Sequence, residues 1–168
     1  IYNFKIFGSI RKNKTSYFLL KKCEFGDYHE LYVIKKFSQK YKVLLVDCGC
    51  NYGFYSFYTA SLKDSNLVFS IEASKNTSSE FIKNLNLNNL SNIHFFNNAV
   101  SSIDNKNISF YESENDWESS QTHSNFKLDK KTIIRSLKID SLLRDHDIDY
   151  YKIIIKLDLE GNEINAIK

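Results

Sequence analysis

The sequence contains no proline and no methionine. Without methionine the start of a natural reading frame is not represented. The chain opens abruptly at Ile1 and stops at Lys168 inside what reads as a helix, so it reads as a C-terminally truncated fragment. The lack of proline, with heavy use of Asn, Lys and Ile, points to AT-rich coding. No run of 18 apolar residues is present, which excludes a helical membrane span. No signal peptide is visible, and the expected location is the cytoplasm. Cysteine is scarce: Cys23, Cys48 and Cys50 are all there is. An odd count without a spaced framework argues against a disulfide scaffold. The Cys48-Gly49-Cys50 spacing is unlike a zinc knuckle, so no metal is expected. Net charge is only +3 and the basic residues are scattered. That gives no electrostatic case for a nucleic-acid partner.

What is present is ordinary globular material. Apolar residues make up 42% of the chain and aromatics 15%, enough for one domain with one core. Residues 3–8 and 16–21 are apolar and aromatic around a polar turn at 9–15, which predicts a β-hairpin. Leu31, Ile34, Phe37 and Tyr41 recur at helical spacing over 28–41. Val43-Leu44-Leu45-Val46 is a short apolar run, as expected of a buried parallel strand. A helix over 54–62, a strand over 67–71, a helix over 75–90 and a strand over 93–96 follow. Phe81, Ile82, Leu85 and Leu87 form the apolar set of the second of these helices. This alternation predicts an α/β fold, a Rossmann-like parallel sheet with flanking helices and right-handed crossovers. Further strands are predicted at 108–111 and 132–137, a helical turn at 140–144, and a fourth parallel strand at 151–157. Residues 1–42 read as a hairpin and helix packing on a core formed by 43–168, within a single domain. Residues 112–130 are polar, with a lone Trp117. They read as a flap over a substrate or as a disordered insert.

Three features carry chemistry. The first is the loop Asp47-Cys48-Gly49-Cys50-Asn51-Tyr52-Gly53, between a buried strand and a helix. Its glycines let the backbone turn tightly and approach a ligand, although a plain strand–helix turn has the same pattern. The second is Glu72, directly after the next strand. An acid there can accept hydrogen bonds from both ribose hydroxyls, and the bland alternative is a solvated surface residue. Together they point to a nucleoside-containing cofactor without separating NAD from S-adenosylmethionine. The third is Lys156-Leu157-Asp158-Leu159-Glu160-Gly161 at the end of an apolar strand. Alternation puts Lys156, Asp158 and Glu160 on one side. Charges at the rim of a buried sheet are costly unless paired or functional. The two readings are a Lys–carboxylate pair closing the strand end and a catalytic or cofactor-facing cluster.

These residues resemble a family. Asp47 to Ser56 is similar to the Asp-x-Gly-Ala-Asn-x-Gly-x-Tyr-Ser loop of FkbM-type methyltransferases, with Cys50 in place of the usual Ala. Ile71-Glu72-Ala73 is similar to that family's ribose-binding turn, which often carries Pro where Ala73 stands. Asn84-Leu85-Asn86-Leu87-Asn88, Asn98-Ala99-Val100-Ser101 and Leu137-Lys138-Ile139-Asp140-Ser141-Leu142-Leu143 resemble further segments. Lys156-x-Asp158-x-Glu160-Gly161-x-Glu163 resembles the family's most specific signature. The resemblance runs from about residue 43 to the end. It implies S-adenosylmethionine as cofactor, with Asp47, Gly49, Asn51 and Gly53 on its methionine and ribose side. Glu72 would hold the ribose hydroxyls, and Asn98 and Ala99 would lie near the adenine. Asp158 and Glu160 would face the methyl group and the acceptor. The family mostly methylates hydroxyl oxygens on sugars, glycans and secondary metabolites.

On that reading Asp158 is the first candidate for the base and Glu160 the second, with Lys156 orienting either carboxylate. His123 is a third candidate. Three rivals remain at this level. An RNA methyltransferase acting on base nitrogens often has a Pro-Pro motif, and this chain has no proline. An NAD-dependent oxidoreductase would show Gly-x-Gly-x-x-Gly, and only Gly49 and Gly53 fit. A non-catalytic binding module is the last. The expected partner is a small-molecule or glycan acceptor.

Overall fold

The structure is a computed structural model that describes residues 3–7, 28–112 and 130–168. The strand at 16–21, Cys23, Trp117 and His123 lie outside the described residues. Helix α1 (Tyr28–Lys40) leads into β1 (Val43–Cys48), α2 (Phe54–Leu62), β2 (Leu67–Ile71), α3 (Lys75–Leu87) and β3 (Ile93–Phe96). Then come β4 (Ala99–Val100), β5 (Asn107–Glu112), β6 (Lys130–Leu137), α4 (Ile139–Arg144), β7 (Lys152–Leu157) and the short α5 (Glu163–Ala166).

The main sheet has the order β3-β2-β1-β7, and every pairing in it is parallel. The chain winds outward from β1 to β3 and then returns to the other side of β1. That reversal is a topological switch point, the place where open α/β sheets bind ligands beyond the strand ends. All six residues of β1 are buried, as its continuous apolar run requires. One face of the sheet packs Leu44, Val46, Phe69 and Ile71 against Ile139 and Leu142 of α4. The opposite face packs Leu45 and Val68 against Leu31 and Ile34 of α1 and Phe54 and Tyr55 of α2. A second sheet runs β4-β6-β5, with β4 parallel and β5 antiparallel to β6.

The predicted α/β architecture is the observed one, with corrections at particular residues. Residues 3–7 carry no strand. Helix α3 stops at Leu87 rather than 90, because Asn88 is extended (φ −119°, ψ 129°). Two helix faces are more polar than predicted. On α1, Phe37 is exposed, as is Tyr41 just beyond its end, and Ser38 is buried instead. On α3, Ile82 and Leu87 are exposed, and Asn84 is buried. In both cases a hydrogen bond overrides hydropathy. Ser38 Oγ accepts from Asn66 Nδ2 at 2.6 Å, and the bonds of Asn84 are described below.

Asn66, itself buried, shows what these polar plugs do. Its Nδ2 also donates to the Thr59 carbonyl at 2.9 Å, and its Oδ1 accepts from Val43 N at 3.2 Å. One side chain therefore joins α1, α2 and the start of β1. Asn66→Ala leaves these buried partners unsatisfied. Chemical denaturation is expected to show a loss of about 2–4 kcal/mol, from two or three broken bonds of about 1 kcal/mol plus desolvation.

Candidate functional site

The loop after β1 takes its shape from three residues in the left-handed region: Gly49 (φ 74°), Asn51 (φ 51°) and Gly53 (φ 90°). Gly49 N and Cys50 N both donate to the Ile71 carbonyl, at 2.9 and 3.0 Å. The loop is thereby tied to the end of β2. A Cβ on Gly49 would collide with the carbonyl of Asp158, so the loop also lies directly against the end of β7. At Gly53 a Cβ would come within 2.5 Å of the Phe57 ring and 2.6 Å of the Phe81 ring. Those rings stack 5.2 Å apart and form the floor under the loop. Asn51 tolerates its conformation because its Oδ1 accepts from Tyr52 N at 2.8 Å.

Glu72 follows β2 and bridges this loop to α3. Its Oε2 accepts from Asn51 N at 3.0 Å and its Oε1 from Ser74 N at 2.9 Å. Burial raises its pKa, and the backbone donors Ser74 and Asn51 pull it back only in part. A carboxylate offers about four acceptor sites. With Ser74, Asn51 and Ala73 as backbone donors, Glu72 keeps capacity for a further donor such as a ribose hydroxyl. Asn97 holds the same turn from β3, donating from Nδ2 to the Glu72 carbonyl at 2.8 Å and to Ser78 Oγ at 2.8 Å. Glu112, buried at the end of β5, accepts from Lys75 N at 2.8 Å and so covers the first turn of α3. Sequence reasoning missed both. Asn97 sits one residue before the predicted Asn98, and Glu112 had no signal beyond being a charge at a strand end.

Asp47 is fully buried in β1. Its Oδ2 accepts from Ser56 Oγ at 2.7 Å, and Ser56 Oγ accepts in turn from Ser70 Oγ at 2.7 Å. Its Oδ1 lies 3.4 Å from Lys156 Nζ, the residue directly opposite it on β7. The ammonium also reaches the Gly49 carbonyl at 3.3 Å and Asp158 Oδ2 at 3.4 Å, and it sits 5.2 Å over the Tyr55 ring. Burial works against the charge on Lys156, but Asp47 and then Asp158 outweigh it. The pKa is raised and the ammonium stays protonated. The neighbouring thiols are inert: burial pushes Cys48 up to about 12 and Cys50 well above the ordinary value.

The structure thus brings Asp47, Gly49, Lys156 and Asp158 into one cluster and Asn51, Glu72 and Ser74 into an adjoining one. Asn98 donates to the Arg135 carbonyl at 3.2 Å. Ala99 is buried in β4 and packs with Ala73, beside Glu72. Strand alternation does not extend to Asp158 or Glu160, since both lie beyond the end of β7, and Asp158 meets Lys156 by direct contact instead. Strand β7 ends at Leu157, and the chain then turns through Glu160 (φ 49°) and Gly161 (φ 96°). Glu163 closes that turn, its Oε1 accepting from Leu159 N at 2.8 Å and Gly161 N at 3.3 Å. Among the described residues no group of three or more His, Cys, Asp or Glu could hold a metal ion. No described helix is long and apolar enough to cross a membrane.

Gly49→Ala combines a left-handed φ with a backbone collision, and thermal melts are expected to show a loss of about 3 kcal/mol or more. Lys156→Met leaves Asp47 buried and unpaired, a loss of about 3–5 kcal/mol. Adding Asp47→Asn to Lys156→Met removes the stranded charge, and the double variant should melt above Lys156→Met alone.

Comparison with known proteins bears on what this site serves. No curated protein matches the chain. A solved chain from Clostridium thermocellum, provisionally described as an rRNA methylase, is 21% identical with a TM-score of 0.37. That match covers 45% of this chain and 43% of the other, so the chain spans under half of that protein's length. The loop, Glu72 and the Lys156–Asp158 cluster all fall within residues 47–168, which match the Methyltransferase FkbM domain, and the chain belongs to that family.

Proposed function

We propose that the chain is an S-adenosylmethionine-dependent methyltransferase that acts on a hydroxyl oxygen of a sugar, glycan or secondary metabolite. The observation that carries this reading is the pairing of Glu72 with the β1 loop. A half-buried carboxylate at the end of β2 is held by Asn51 N and Ser74 N and keeps spare acceptor capacity. That donor and acceptor set fits a ribose with two free hydroxyls. It disfavours a ribose phosphate, because Glu112 already occupies the first turn of α3. Asp47, Gly49, Asn51 and Gly53 shape the loop that would hold the cofactor's methionine and ribose. Asn98 and Ala99 would border the adenine.

When bound, the cofactor supplies an electrophilic methyl group on a sulfonium. The chain's own work is orientation and proton removal. Asp158 is exposed at the carboxyl end of β7. Its carboxylate can take the proton of an acceptor hydroxyl, and Lys156 3.4 Å away holds it in place. Glu160 is the second candidate for this role. Lys156 is itself no base, since its pKa is raised. Family membership and Glu72 support the cofactor, and the exposed carboxylates support a hydroxyl acceptor.

Calorimetric titration tests the reading. S-adenosylmethionine is expected to bind more tightly than NAD, and the reverse order would sink it. Glu72→Ala should weaken S-adenosylmethionine binding by at least about tenfold, as expected for lost charged hydrogen bonds. Binding should weaken as the pH falls through the Glu72 pKa, above the ordinary 4.5, since the protonated acid accepts less well. In Glu72→Gln that acid limb should be absent. Asp158→Asn should retain cofactor affinity and lower kcat by about 10²–10⁴-fold.

A further inference from the structure

Asn84 has no exposure to solvent and lies on the inner face of α3. Its amide has two partners far apart in sequence. Nδ2 donates to the Tyr52 carbonyl in the β1 loop at 3.1 Å, and Oδ1 accepts from Phe7 N at 2.6 Å. Only one orientation of the amide satisfies both, because Tyr52 presents an acceptor and Phe7 a donor. One helical turn on, Asn88 Oδ1 accepts from Lys5 N and its Nδ2 donates to the Lys5 carbonyl, each at 2.8 Å. Four helical residues rise about 6 Å. Two extended residues span about 6.6 Å. The two asparagines therefore meet Lys5 and Phe7 in register, as a neighbouring strand would. Phe4 adds apolar contact, with its ring 5.4 Å from Phe54 and 6.2 Å from Phe57.

The loop end of this chain of contacts is well placed to matter. Tyr52 stands between Asn51 and Gly53, the two left-handed residues that give the loop its second half. Fixing the Tyr52 carbonyl fixes the peptide plane that joins it to Gly53. Asn51 N, one residue earlier, is the donor that holds Glu72.

We propose that Asn84 is a positioning residue for the cofactor loop, and that residues 5–7 act as a strap whose docking on Asn84 and Asn88 sets the loop for cofactor binding. The proposal rests on the S-adenosylmethionine reading above. Three variants of the full chain test it: Asn84→Ala, Asn88→Ala and Lys5→Pro. The last removes a strap donor while leaving α3 untouched. In Asn88→Ala and Lys5→Pro, which do not touch the loop, the Kd for S-adenosylmethionine is expected to rise about five- to tenfold, the size of one or two lost hydrogen bonds. Asn84→Ala should do the same or more, and the Asn84→Ala, Asn88→Ala double variant should fall short of the product of the two.

Amide hydrogen exchange reads the loop without cofactor. The Gly53 N–H, which donates to the Cys50 carbonyl at 2.8 Å, should exchange faster in Asn88→Ala and Lys5→Pro than in the unaltered chain. A lower Tm with unchanged Kd and unchanged Gly53 exchange would mean a merely structural role and would overturn the proposal. If the unaltered chain binds no S-adenosylmethionine, the cofactor reading fails, and Gly53 exchange alone decides whether the strap sets the loop.

Discussion

Asp47 stands in the central strand with apolar neighbours on either side and no exposed surface. A carboxylate in that position must be paired, since an isolated buried charge is costlier than the whole fold is stable. Lys156 answers it from the adjacent strand, in register. The pairing does more than neutralise. Because the ammonium also reaches Gly49 and Asp158, one cation fixes where the β1 loop sits relative to the end of β7. An apolar pair would pack as well and hold the strands together. It would not orient a loop carbonyl and an exposed carboxylate at the same time.

The loop is then constrained from four sides. Ile71 takes its first two amides, Asp158 blocks any side chain at Gly49, the Phe57–Phe81 stack blocks one at Gly53, and Asn84 takes the Tyr52 carbonyl. Such a loop needs little reorganisation when a ligand arrives, so less binding energy is lost to ordering it. Its place at the switch between β1 and β7 puts Glu72 on one flank and Asp158 on the other. On the proposed reading, a cofactor held on one flank meets an acceptor on the other.

Much of this was legible in the sequence. The apolar run at 43–46 located β1, two residues short of its end at Cys48, and the elements expected at 54–62 and 67–71 are observed within those bounds. The loop and Glu72 stood out by their place directly after buried strands, although neither pattern alone separates a ligand site from a plain turn or a surface acid. What stayed hidden was long-range or polar. Helical periodicity treats Asn84 as a surface position, because hydropathy cannot register that two distant backbones need its amide. The strands β5 and β6 were visible singly. Their pairing was not, since a long polar stretch separates them. Alternation failed at Glu160 because the strand stops at Leu157 and a left-handed turn follows. Glu163, quoted only as part of a signature, proves to be the residue that closes that turn.

The contact between α3 and residues 5–7 has one more consequence. The asparagines grip only main-chain atoms, so they read spacing and not side-chain identity. Substitution at Lys5 by any residue that keeps its N–H leaves the grip intact, whereas Phe4 and Ile6 on either side are held by their packing on the core. Insertion or deletion within these few residues is not free, because one extra residue breaks the match of helical rise to extended chain. At Lys5 the constraint is thus one of length rather than letter.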